Sequence, residues 1–536
     1  MNRNPLTFLI LMLAIQTVPA IWSKDVWFSD EARHAAVLVQ LVENGHWLVL
    51  HLGDTYYPDK PPLYFWMVAA ISWLAGSVQP HIFMIGAAVS AALFLAVTHC
   101  SARLFGMTKQ VALVAGLVLL ANYYFIGRAH HPRMDLLFAA FITLSHVFFY
   151  KAAFSGDRVH SGWVIAAFVS ASLAVLTKGP IGALLPFASF VLFLAKQRQL
   201  ALFFTWPVAY GFSAFVAAIS GYLIGVYHFG GLAFIREILL DQTWQRAVNS
   251  PRLSQSFLYY FHILPKILLP WSLILLVIPW KKIAWRENTK KLVSKVETKD
   301  AGYTYLWLSA ATSFLLLSLS DYKITFLMIT VLPQVVILIA LFALKLERKL
   351  RILYFTLMAL FYTAGIALLP FAHSFTLWPD AVTGQFPVLI AGLPLLAGVW
   401  LARKRSAVLF GLVNTIGLTM LALPFFLITI KNLDVVMSPR PIADWLLEME
   451  SVGFHPLYVH PYRKGIFDYH AGREIQFVNT SEQVAQLVAS HTCIALVARE
   501  REWNNWKNKP SDTKLIRYHK LDYETFALAS IGKCTS

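Results

Sequence analysis

Residues 81–104 read HIFMIGAAVSAALFLAVTHCSARL, a run of 24 residues in which the only charged side chain, Arg103, lies next to the end. About 20 apolar residues are enough for a helix to cross the hydrocarbon layer of a bilayer. Similar runs recur along the 536-residue chain, which is 58% hydrophobic and only 14% charged. Ordinary soluble domains carry about 25% charged residues. The sequence therefore predicts an all-α protein that crosses a membrane many times.

The apolar runs predict about 13 transmembrane helices. The first run, from Met1 to Trp22, has a basic start and contains Val18-Pro19-Ala20, so a cleaved signal peptide is the alternative for it. The predicted spans are residues 5–22, 81–104, 108–126, 134–154, 161–177, 180–196, 201–227, 262–280, 303–320, 324–344, 352–372, 384–402 and 406–430.

Basic residues cluster in short loops, and this sets the predicted orientation. Cytoplasmic loops of membrane proteins are enriched in Lys and Arg, so the basic loops 196–198, 281–299, 345–351 and 403–405 are expected in the cytoplasm. The same clustering accounts for the net charge of +17 and argues against nucleic acid as a partner. The loops expected on the other side are 23–80, 127–133, 178–179, 228–261, 321–323, 373–383 and the tail from Lys431.

One apolar stretch, Pro61 to Gly76, is not counted as a span. It has about 16 residues, which is short for a full crossing. If it crossed, Asp30 and Asp135 would lie on opposite sides of the membrane, or several basic loops would face outward. We therefore expect a helix that lies in the membrane interface or re-enters it.

The tail from about Asp434 is polar and is predicted to form a small α/β domain. Residues 1–433 are then the transmembrane domain, with the outer loop 23–80, and residues 434–536 are the extracytoplasmic domain. Cys493 and Cys534 pair if this domain lies in an oxidising compartment, and two free thiols are the alternative. Strands are expected at 456–460, 475–478 and 493–499, with a helix at 481–490.

The outer loops carry charged residues, which are costly beside a bilayer and are therefore functional candidates. Each has a simpler explanation. Asp30 and Asp135 suit the starts of helices, Lys178 suits the end of one, and Lys60 can reach lipid head groups. Asp321-Tyr322-Lys323 would make a polar hairpin tip. Together, however, they place two carboxylates and several cations on one face of the membrane, which chemistry on a phosphate-linked sugar requires.

These segments resemble a known family. Asp30-Glu31-Ala32-Arg33, Gly45 to Val49 and Tyr57-Pro58-Asp59-Lys60-Pro61-Pro62 look like the aminoarabinose–lipid A transferase and protein O-mannosyltransferase superfamily. The similarity continues through Arg133-Met134-Asp135 and Leu176 to Pro180. Members are integral-membrane glycosyltransferases of the GT-C fold, so the resemblance implies this fold for the present chain.

The resemblance also implies roles for the charged residues. Asp30 is expected to be the main catalytic acid/base or electrostatic residue, assisted by Asp135, with Glu31 beside it. Lys60 and Lys178 are expected to contact the carrier phosphate. The charge requirement of the leaving phosphate adds further candidate phosphate-binding cations: Arg128, Arg133 and Lys323. The remaining side chains are expected to bind substrate: Arg33, Asp59, Tyr57 and Tyr322.

Three departures separate this chain from the aminoarabinose branch. Asp59 stands where the branch has Glu, and Leu253-Ser254-Gln255-Ser256 lacks its histidine. Lys323-Ile324-Thr325 also lacks the proline of its Lys-Leu-Pro hairpin. These departures bear on lipid A specificity and on a metal bridging Asp59. No cofactor is expected with certainty, and a divalent metal is optional because the cations can replace it.

The predicted function is that of an inverting glycosyltransferase of the bacterial inner membrane. It would take a sugar from a polyprenyl-phosphate donor and pass it to a lipid, glycan or protein acceptor on the periplasmic face. Modification of lipid A is the favoured case, and membrane lipids are the surroundings. The alternatives are a multi-span lipid or sugar transporter, which would carry charges at mid-membrane depth, and an O-antigen ligase or polymerase.

Overall fold

The computed structural model describes residues 4–28, 30–153, 160–245, 255–279, 300–371, 374, 386–488 and 493–532, with side chains only to Gln242 in the third range. The basic loop 281–299 and most of loop 373–383 lie outside these residues. Helices dominate what is described. They are α1 Pro5–Ser23, α2 Asp30–Asn44, α3 Leu63–Ala75, α4 Pro80–Leu104, α5 Lys109–Leu120, α6 Tyr123–Ala129, α7 Asp135–Ala153, α8 Ser161–Lys178, α9 Ile181–Lys196, α10 Trp206–Arg236, α11 Tyr259–Ile267, α12 Ala301–Leu319, α13 Leu332–Lys345, α14 Arg348–Leu368, α15 Phe386–Ala402, α16 Ala407–Pro424, α17 Ile430–Met437, α18 Arg440–Ser451, α19 Asp468–Ala471, α20 Ser481–Val488 and α21 Glu500–Asn505.

The long apolar helices confirm the predicted all-α polytopic class. Seven helical stretches in the described residues are long and apolar enough to cross a membrane, or eight if the bent pair α5 and α6 is one span. Four more apolar helices are shorter: α3, α9, α13 and α15. The count of 13 crossings stays a prediction.

Proline explains where the helices differ from the predicted spans. The span predicted at 262–280 is instead the short helix α11 followed by a 3-10 helix, Trp271–Leu276. Pro265 lies inside α11 and Pro270 directly precedes the 3-10 helix. Because proline has no N–H and clashes with the preceding turn, it interrupts a continuous α-helix. The span predicted at 324–344 likewise begins with a 3-10 helix, Thr325–Thr330.

A polar break between α5 and α6 redirects the chain toward the outer loops. The two helices meet at an angle of 70°. Asn122 caps α6, since its side-chain oxygen accepts from the N–H of Phe125 at 2.9 Å. Its amide donates to the carbonyl of Ile267 at 2.8 Å, and the indole of Trp271 donates to Ala121 at 3.1 Å. These bonds satisfy backbone groups that the break leaves open and fix the direction in which α6 leads toward residue 128.

Helix α3 corresponds to the stretch that the sequence assigned to the interface. It begins after two prolines and ends at Gly76, whose φ of +65° is a left-handed C-cap that glycine adopts without strain. Its 13 residues span about 20 Å, less than the roughly 30 Å of hydrocarbon. The length fits an interfacial helix, and that location stays a prediction.

The C-terminal part contains five strands: β3 His455–Val459, β4 Gln476–Val478, β5 Ile494–Arg499, β6 Lys514–Leu521 and β7 Glu524–Ile531. They form one sheet in the order β4-β3-β5-β7-β6. Strands β4, β3 and β5 are parallel, whereas β7 and β6 are antiparallel additions. The three predicted strands are present within about one residue, but the β6–β7 hairpin was not predicted. The domain boundary at residue 433 and the pairing of Cys493 stay predictions, because Cys534 lies outside the described residues. The outer loop contains two further short strands, β1 His51–Leu52 and β2 Thr55–Tyr56.

The C-terminal part packs directly on the first outer loop. The N–H of Phe28 donates to Met437 at 2.8 Å, and the guanidinium of Arg440 binds Asp25 at 2.8 Å. The turn between β1 and β2 also touches it. Gly53 has a φ of +59°, which favours glycine, and a Cβ there would lie 2.2 Å from the carboxyl carbon of Glu474 and displace that side chain. The outer loop is therefore held between the membrane helices and the C-terminal sheet.

One carboxylate in this region lacks a full set of partners. The side chain of Asp468 is buried, and its Oδ1 accepts from the N–H of Ile475 at 3.2 Å. Its Oδ2 has no hydrogen-bond partner among the residues described. Burial raises the pKa of Asp468 to about 7, and the nearby Glu474 acts in the same direction.

We predict that Asp468→Asn stabilises the protein more at pH 8 than at pH 5. The ordinary pKa of this carboxyl is 3.8. Between pH 4 and 7 the unfolded chain therefore ionises while the folded chain keeps its proton, and wild-type stability falls as the pH rises. The full difference is at most about 4 kcal/mol. The measurement is the melting temperature of both proteins at the two pH values, with Glu482→Gln, an exposed acid, as control. An equal difference at both pH values would contradict the buried, protonated state.

Candidate active site

Four charged side chains from three helix ends form one chain of ion pairs. Asp30 begins α2, Asp135 begins α7, and Lys178 ends α8, where the helix dipoles favour these charges. Arg133 connects them: its Nη1 donates to Asp30, and its Nε donates to Asp135 Oδ2 at 3.1 Å. The ammonium of Lys178 donates to the other oxygen of Asp135. The structure thus brings together two predicted acids and two predicted cations.

Burial distinguishes the two acids. The side chain of Asp30 is 41% exposed, whereas that of Asp135 is 2% exposed and has both oxygens bound to cations. A reacting molecule can therefore approach Asp30 but not Asp135. This difference suits a direct role for Asp30 and a positioning role for Asp135.

The cations around Asp30 keep it ionised. Burial by itself raises the pKa of Asp30, but the charges of Arg133, Lys60 and Arg33 outweigh burial and hold that pKa well below its usual range. His34 was not among the predicted site residues, although it lies four positions after Asp30 and so on the same face of α2. Its ring is buried against Tyr57 and Phe65. Burial lowers the pKa of His34 to about 3, so the imidazole is neutral.

Glu31 is enclosed by partners other than the reacting groups. Its carboxylate is fully buried and binds the ammonium of Lys24 at 2.5 Å, the N–H of Trp27 at 3.0 Å and the imidazole of His131. Burial by itself raises the pKa of Glu31, but Lys24 and His131 outweigh the effect of burial and hold the pKa of Glu31 at about 2. The contacts tie the end of α1 to α2 and to the loop before α7. They suit a positioning residue, and its predicted catalytic role stays untested.

Among the described residues, Arg128 is held by aromatic rings rather than by an acid. Its guanidinium lies 4.6 Å from the ring centroid of Phe326, and that of Arg133 lies 4.5 Å from the same ring. Both cations therefore lie against one aromatic ring. Arg128 Nε and Nη1 have no hydrogen-bond partner among the described residues. Phe326 was not predicted, because nothing in its local sequence indicates that two arginines from another loop lie against it.

The loop from Tyr57 to Lys60 lies on the other flank of α2. Arg33 donates to Asp59 Oδ2 at 3.4 Å and to the carbonyl of Lys464 at 3.1 Å. Its guanidinium lies 5.5 Å from the ring of Tyr57, which is buried. The ammonium of Lys60 donates to the carbonyl of Asp59 at 3.0 Å. Lys60 also acts electrostatically on Asp30, and its role as a phosphate-binding cation stays a prediction. Tyr57 is too buried to meet a substrate in this conformation.

Two predicted residues lie at the start of the 3-10 helix that carries Phe326. Lys323 is buried and its ammonium donates to the carbonyl of Ser320 at 2.5 Å. Tyr322 is half-buried and packs against the membrane core. Within the described residues, the ammonium of Lys323 is bonded to the backbone carbonyl of Ser320 and not to an acid of the ion-pair chain.

The acids present do not fit a bridging metal. In the described part of the chain, no group of three His, Cys, Asp or Glu side chains is arranged to hold a metal ion. Asp59 pairs with Arg33, and Asp135 is saturated by two cations. No step of the chemistry below is therefore assigned to a metal.

The fold and the site together define a class of protein: a polytopic membrane protein of the GT-C fold with an acid–cation cluster at the helix ends. The structure is similar to ArnT from Cupriavidus metallidurans, solved bound to undecaprenyl phosphate, with a TM-score of 0.76. The two chains are 18% identical, and the similarity covers 99% of this chain and 98% of that one. This likeness establishes the fold.

Sequence comparisons agree with it. Residues 59–224 match the dolichyl-phosphate-mannose-protein mannosyltransferase family. The undecaprenyl phosphate-alpha-4-amino-4-deoxy-L-arabinose arabinosyl transferase of Erwinia tasmaniensis is 23% identical over 48% of this chain and 42% of its own length. A protein of the same description from Pseudomonas fluorescens is 26% identical over 61% of this chain and 55% of its own length. The matches thus span about half of these relatives.

These comparisons confirm the resemblance seen in the sequence, to GT-C membrane glycosyltransferases of the aminoarabinose transferase and O-mannosyltransferase type. The bacterial relatives and the apolar helices also indicate a multi-pass protein of a bacterial inner membrane.

The two neighbouring acids are expected to differ in their effect on stability. Glu31→Gln leaves the buried Lys24 without its counter-charge, which costs about 3–5 kcal/mol. Asp30→Asn removes a partly exposed acid, and Arg133 still has Asp135 as a counter-charge, so the loss of folding stability is about 1 kcal/mol or less. Thermal unfolding of the detergent-purified variants measures both. Equal losses in the two variants would contradict the assignment of Glu31 as the buried anchor.

Proposed function

We propose that this protein transfers a sugar from a polyprenyl-phosphate donor to an acceptor on the periplasmic face of the inner membrane. The observation that carries the proposal is the pairing of a reachable carboxylate, Asp30, with two arginines on one aromatic ring, Arg128 and Arg133. Such a site offers one anion to the acceptor and two cations to a phosphate. The relatives are named for an undecaprenyl phosphate-linked sugar, and ArnT was solved bound to undecaprenyl phosphate, which supports a carrier of this kind.

The reaction requires one bond to form as another breaks. An acceptor oxygen attacks the anomeric carbon, and the bond between that carbon and the phosphate oxygen breaks, leaving the phosphate on the carrier. Arg128 can stabilise the leaving phosphate because its N–H groups lack partners in the described structure. Arg133 and Lys60 lie close enough to Asp30 to add positive charge on the same flank. A single displacement of this kind inverts the anomeric centre.

The state of Asp30 bears on the acceptor. A carboxylate held ionised by three cationic neighbours is a weak base while those neighbours remain in place. A hydroxyl acceptor would pass its proton to Asp30, which is easier once the donor phosphate competes for Arg133. A phosphate acceptor has no proton to lose, so Asp30 would only orient it. The resemblance favours an acceptor of the lipid A type, which offers both kinds of group.

Asp135 and Lys178 act on the site through Arg133. Asp135 holds Arg133 Nε at 3.1 Å, and Lys178 neutralises the remaining oxygen of Asp135. Arg133 can then face Asp30 and the phosphate without turning into the helix bundle. We therefore assign Asp135 and Lys178 to positioning rather than to contact with the substrate.

The periplasmic location rests on the loop charges. Successive spans place the loops between them on alternate sides of the membrane. Counted along the predicted spans, basic loops such as 345–351 and 403–405 fall on the side opposite to the loops that carry the site residues. By the positive-inside rule these basic ends are cytoplasmic. The C-terminal part, which packs on the first outer loop, is then periplasmic as well.

The direct test is transfer of radiolabelled sugar from a panel of polyprenyl-phosphate sugars into bacterial membrane extract. We expect transfer by the wild type and a transfer rate at least about a hundredfold lower in Asp30→Asn. The loss is large because the same carboxylate orients the acceptor and supplies the negative charge. Matched expression and unchanged melting temperature are the controls. Transfer that survives in Asp30→Asn would remove Asp30 from the mechanism, and movement of intact donor without transfer would favour the transporter alternative.

Arg128 is expected to act on the donor. Arg128→Gln should raise the KM for the donor at least about tenfold and lower kcat, because a charge-assisted contact to phosphate is lost. The matched control is Arg405→Gln, an exposed residue of a basic loop. Steady-state kinetics with varied donor measures the difference. Unchanged KM and kcat in Arg128→Gln would exclude it from donor binding.

A further inference from the structure

The length of one helical stretch places its end at the level of lipid head groups. Residues Ala407–Met437, which include α16 and α17, form 31 helical residues that are apolar enough to cross a membrane. At 1.5 Å per residue they extend about 46 Å, close to the roughly 40–45 Å of a bilayer with its head groups. The basic residues 403–405 lie just before this stretch and mark one membrane surface. Its other end, at Met437, then falls near the opposite head-group layer.

The C-terminal sheet is bonded to this end of the stretch. The N–H of Asp522, in the turn between β6 and β7, donates to the carbonyl of Val436 at 2.7 Å. Val435 and Tyr523, on the two sides of this bond, are both exposed. In the described residues β6 pairs with β7 and with no other strand, so it is the edge of the sheet. The turn that ends this edge strand therefore lies beside the membrane surface.

The side chains of β6 are exposed, unlike those of its neighbour β7, most of which are buried. The strand contains three cations and no acid. Its apolar side chains are also open to solvent, and Ile516 and Tyr518 are each 45% exposed. The exposed residues of β6 are defined here as the basic strip: Lys514, Leu515, Ile516, Arg517, Tyr518 and Lys520.

Protection of a sheet edge explains only part of this composition. Lysines and β-bulges keep an edge strand from pairing with another chain. β6 has lysines near both ends and a register shift between Leu515 and Arg517, so docking of a further strand is disfavoured. Protection does not account for the exposed Leu515, Ile516 and Tyr518. Exposed apolar side chains beside cations are instead typical of a surface that meets a membrane.

The positive charge of the basic strip is not cancelled by neighbouring acids. Among the described residues, neither Lys514 nor Arg517 forms an ion pair. Glu524, which lies opposite Leu521 on β7, is bound to His460 at 3.0 Å and lies 3.8 Å from Arg499. The strip therefore directs basic side chains outward, and cations beside a membrane are attracted to anionic lipids.

We propose that the basic strip binds the anionic phospholipid head groups of the bilayer that surrounds the protein. Lipid phosphates accept charge-assisted hydrogen bonds from lysine and arginine, and Tyr518 suits the boundary between head groups and hydrocarbon. The contact would hold the C-terminal sheet to the membrane at its β6 edge. This edge is separate from the contact that Arg33 makes with the carbonyl of Lys464. The proposal does not depend on the transfer reaction.

The test is hydrogen–deuterium exchange of the full-length protein in nanodiscs that hold one copy each. The discs contain either phosphatidylcholine alone or equal parts of phosphatidylcholine and phosphatidylglycerol. We expect the backbone amides of residues 514–520 to exchange at least about threefold more slowly in the anionic discs, because bound head groups exclude water from the strand. Salt at about 1 M, which screens charges beyond about 3 Å, should remove this difference.

A matched pair of double variants assigns the effect to the basic strip. Arg517→Gln combined with Lys520→Gln removes one arginine and one lysine from β6 and should abolish the slower exchange in anionic discs. Arg501→Gln combined with Lys507→Gln removes the same charges from exposed positions outside β6 and should retain it. Melting temperatures confirm that both variants are folded.

Three results would overturn the proposal. The first is equal exchange of residues 514–520 in the two lipids by the wild type. The second is an equal loss of protection in the two double variants, which would assign the effect to total charge. The third is protection in discs that hold two copies but not in discs that hold one, which would assign the strip to a second copy of this chain.

Discussion

The guanidinium of Arg133 is the contact on which the arrangement of the site depends. It lies between Asp30 and Asp135, and through them it joins the start of α2 to the start of α7 and the end of α8. Arg133 and Asp135 are both buried, where a lone charge is costly. Positive and negative side chains alternate along the chain of ion pairs, and this pairing offsets the cost of burying each charge.

This alternation also decides which group can react. A buried acid with two cationic partners, such as Asp135, has no oxygen left for a substrate. Asp30 forms its ion pair with Arg133 among the described residues, and its side chain is partly exposed. Arg128 is the opposite case, a cation held by aromatic rings rather than by an acid, so its N–H groups remain open. Among the described residues, the site therefore combines a reachable anion, Asp30, with a cation that no acid holds, Arg128.

Much of this was predictable from the sequence, because the motifs are local. Asp30, Lys60, Asp135 and Lys178 follow or precede apolar runs, and charge beside a bilayer is rare enough to mark them. The apolar runs themselves predicted most helix bounds within a few residues. The span at 262–280 was wrong as a single helix, since two prolines within an apolar run break the helix without lowering its hydropathy.

Contacts between distant segments were not predictable in this way. Phe326 lies near Arg128 only because the break at Asn122 turns α6 toward it, and a hydropathy pattern does not report that angle. The role of Glu31 was also ambiguous, because Asp30 and Glu31 are adjacent in sequence but point to different faces of α2. One faces the ion-pair chain, and the other is enclosed by Lys24 and His131. The β6–β7 hairpin was missed since its outer strand is exposed on both faces and has no alternating pattern.

Helix α2 has a second neighbour that the transfer site does not explain. Its start meets the ion-pair chain, and Arg33 meets the carbonyl of Lys464. A short helix held at two places by different parts of the chain can move only if at least one of these contacts changes. Because Asp30 occupies the first position of this helix, the geometry of the reacting carboxylate depends on how the C-terminal part is seated. The C-terminal sheet is thus better understood as part of the support of the site than as an appended domain.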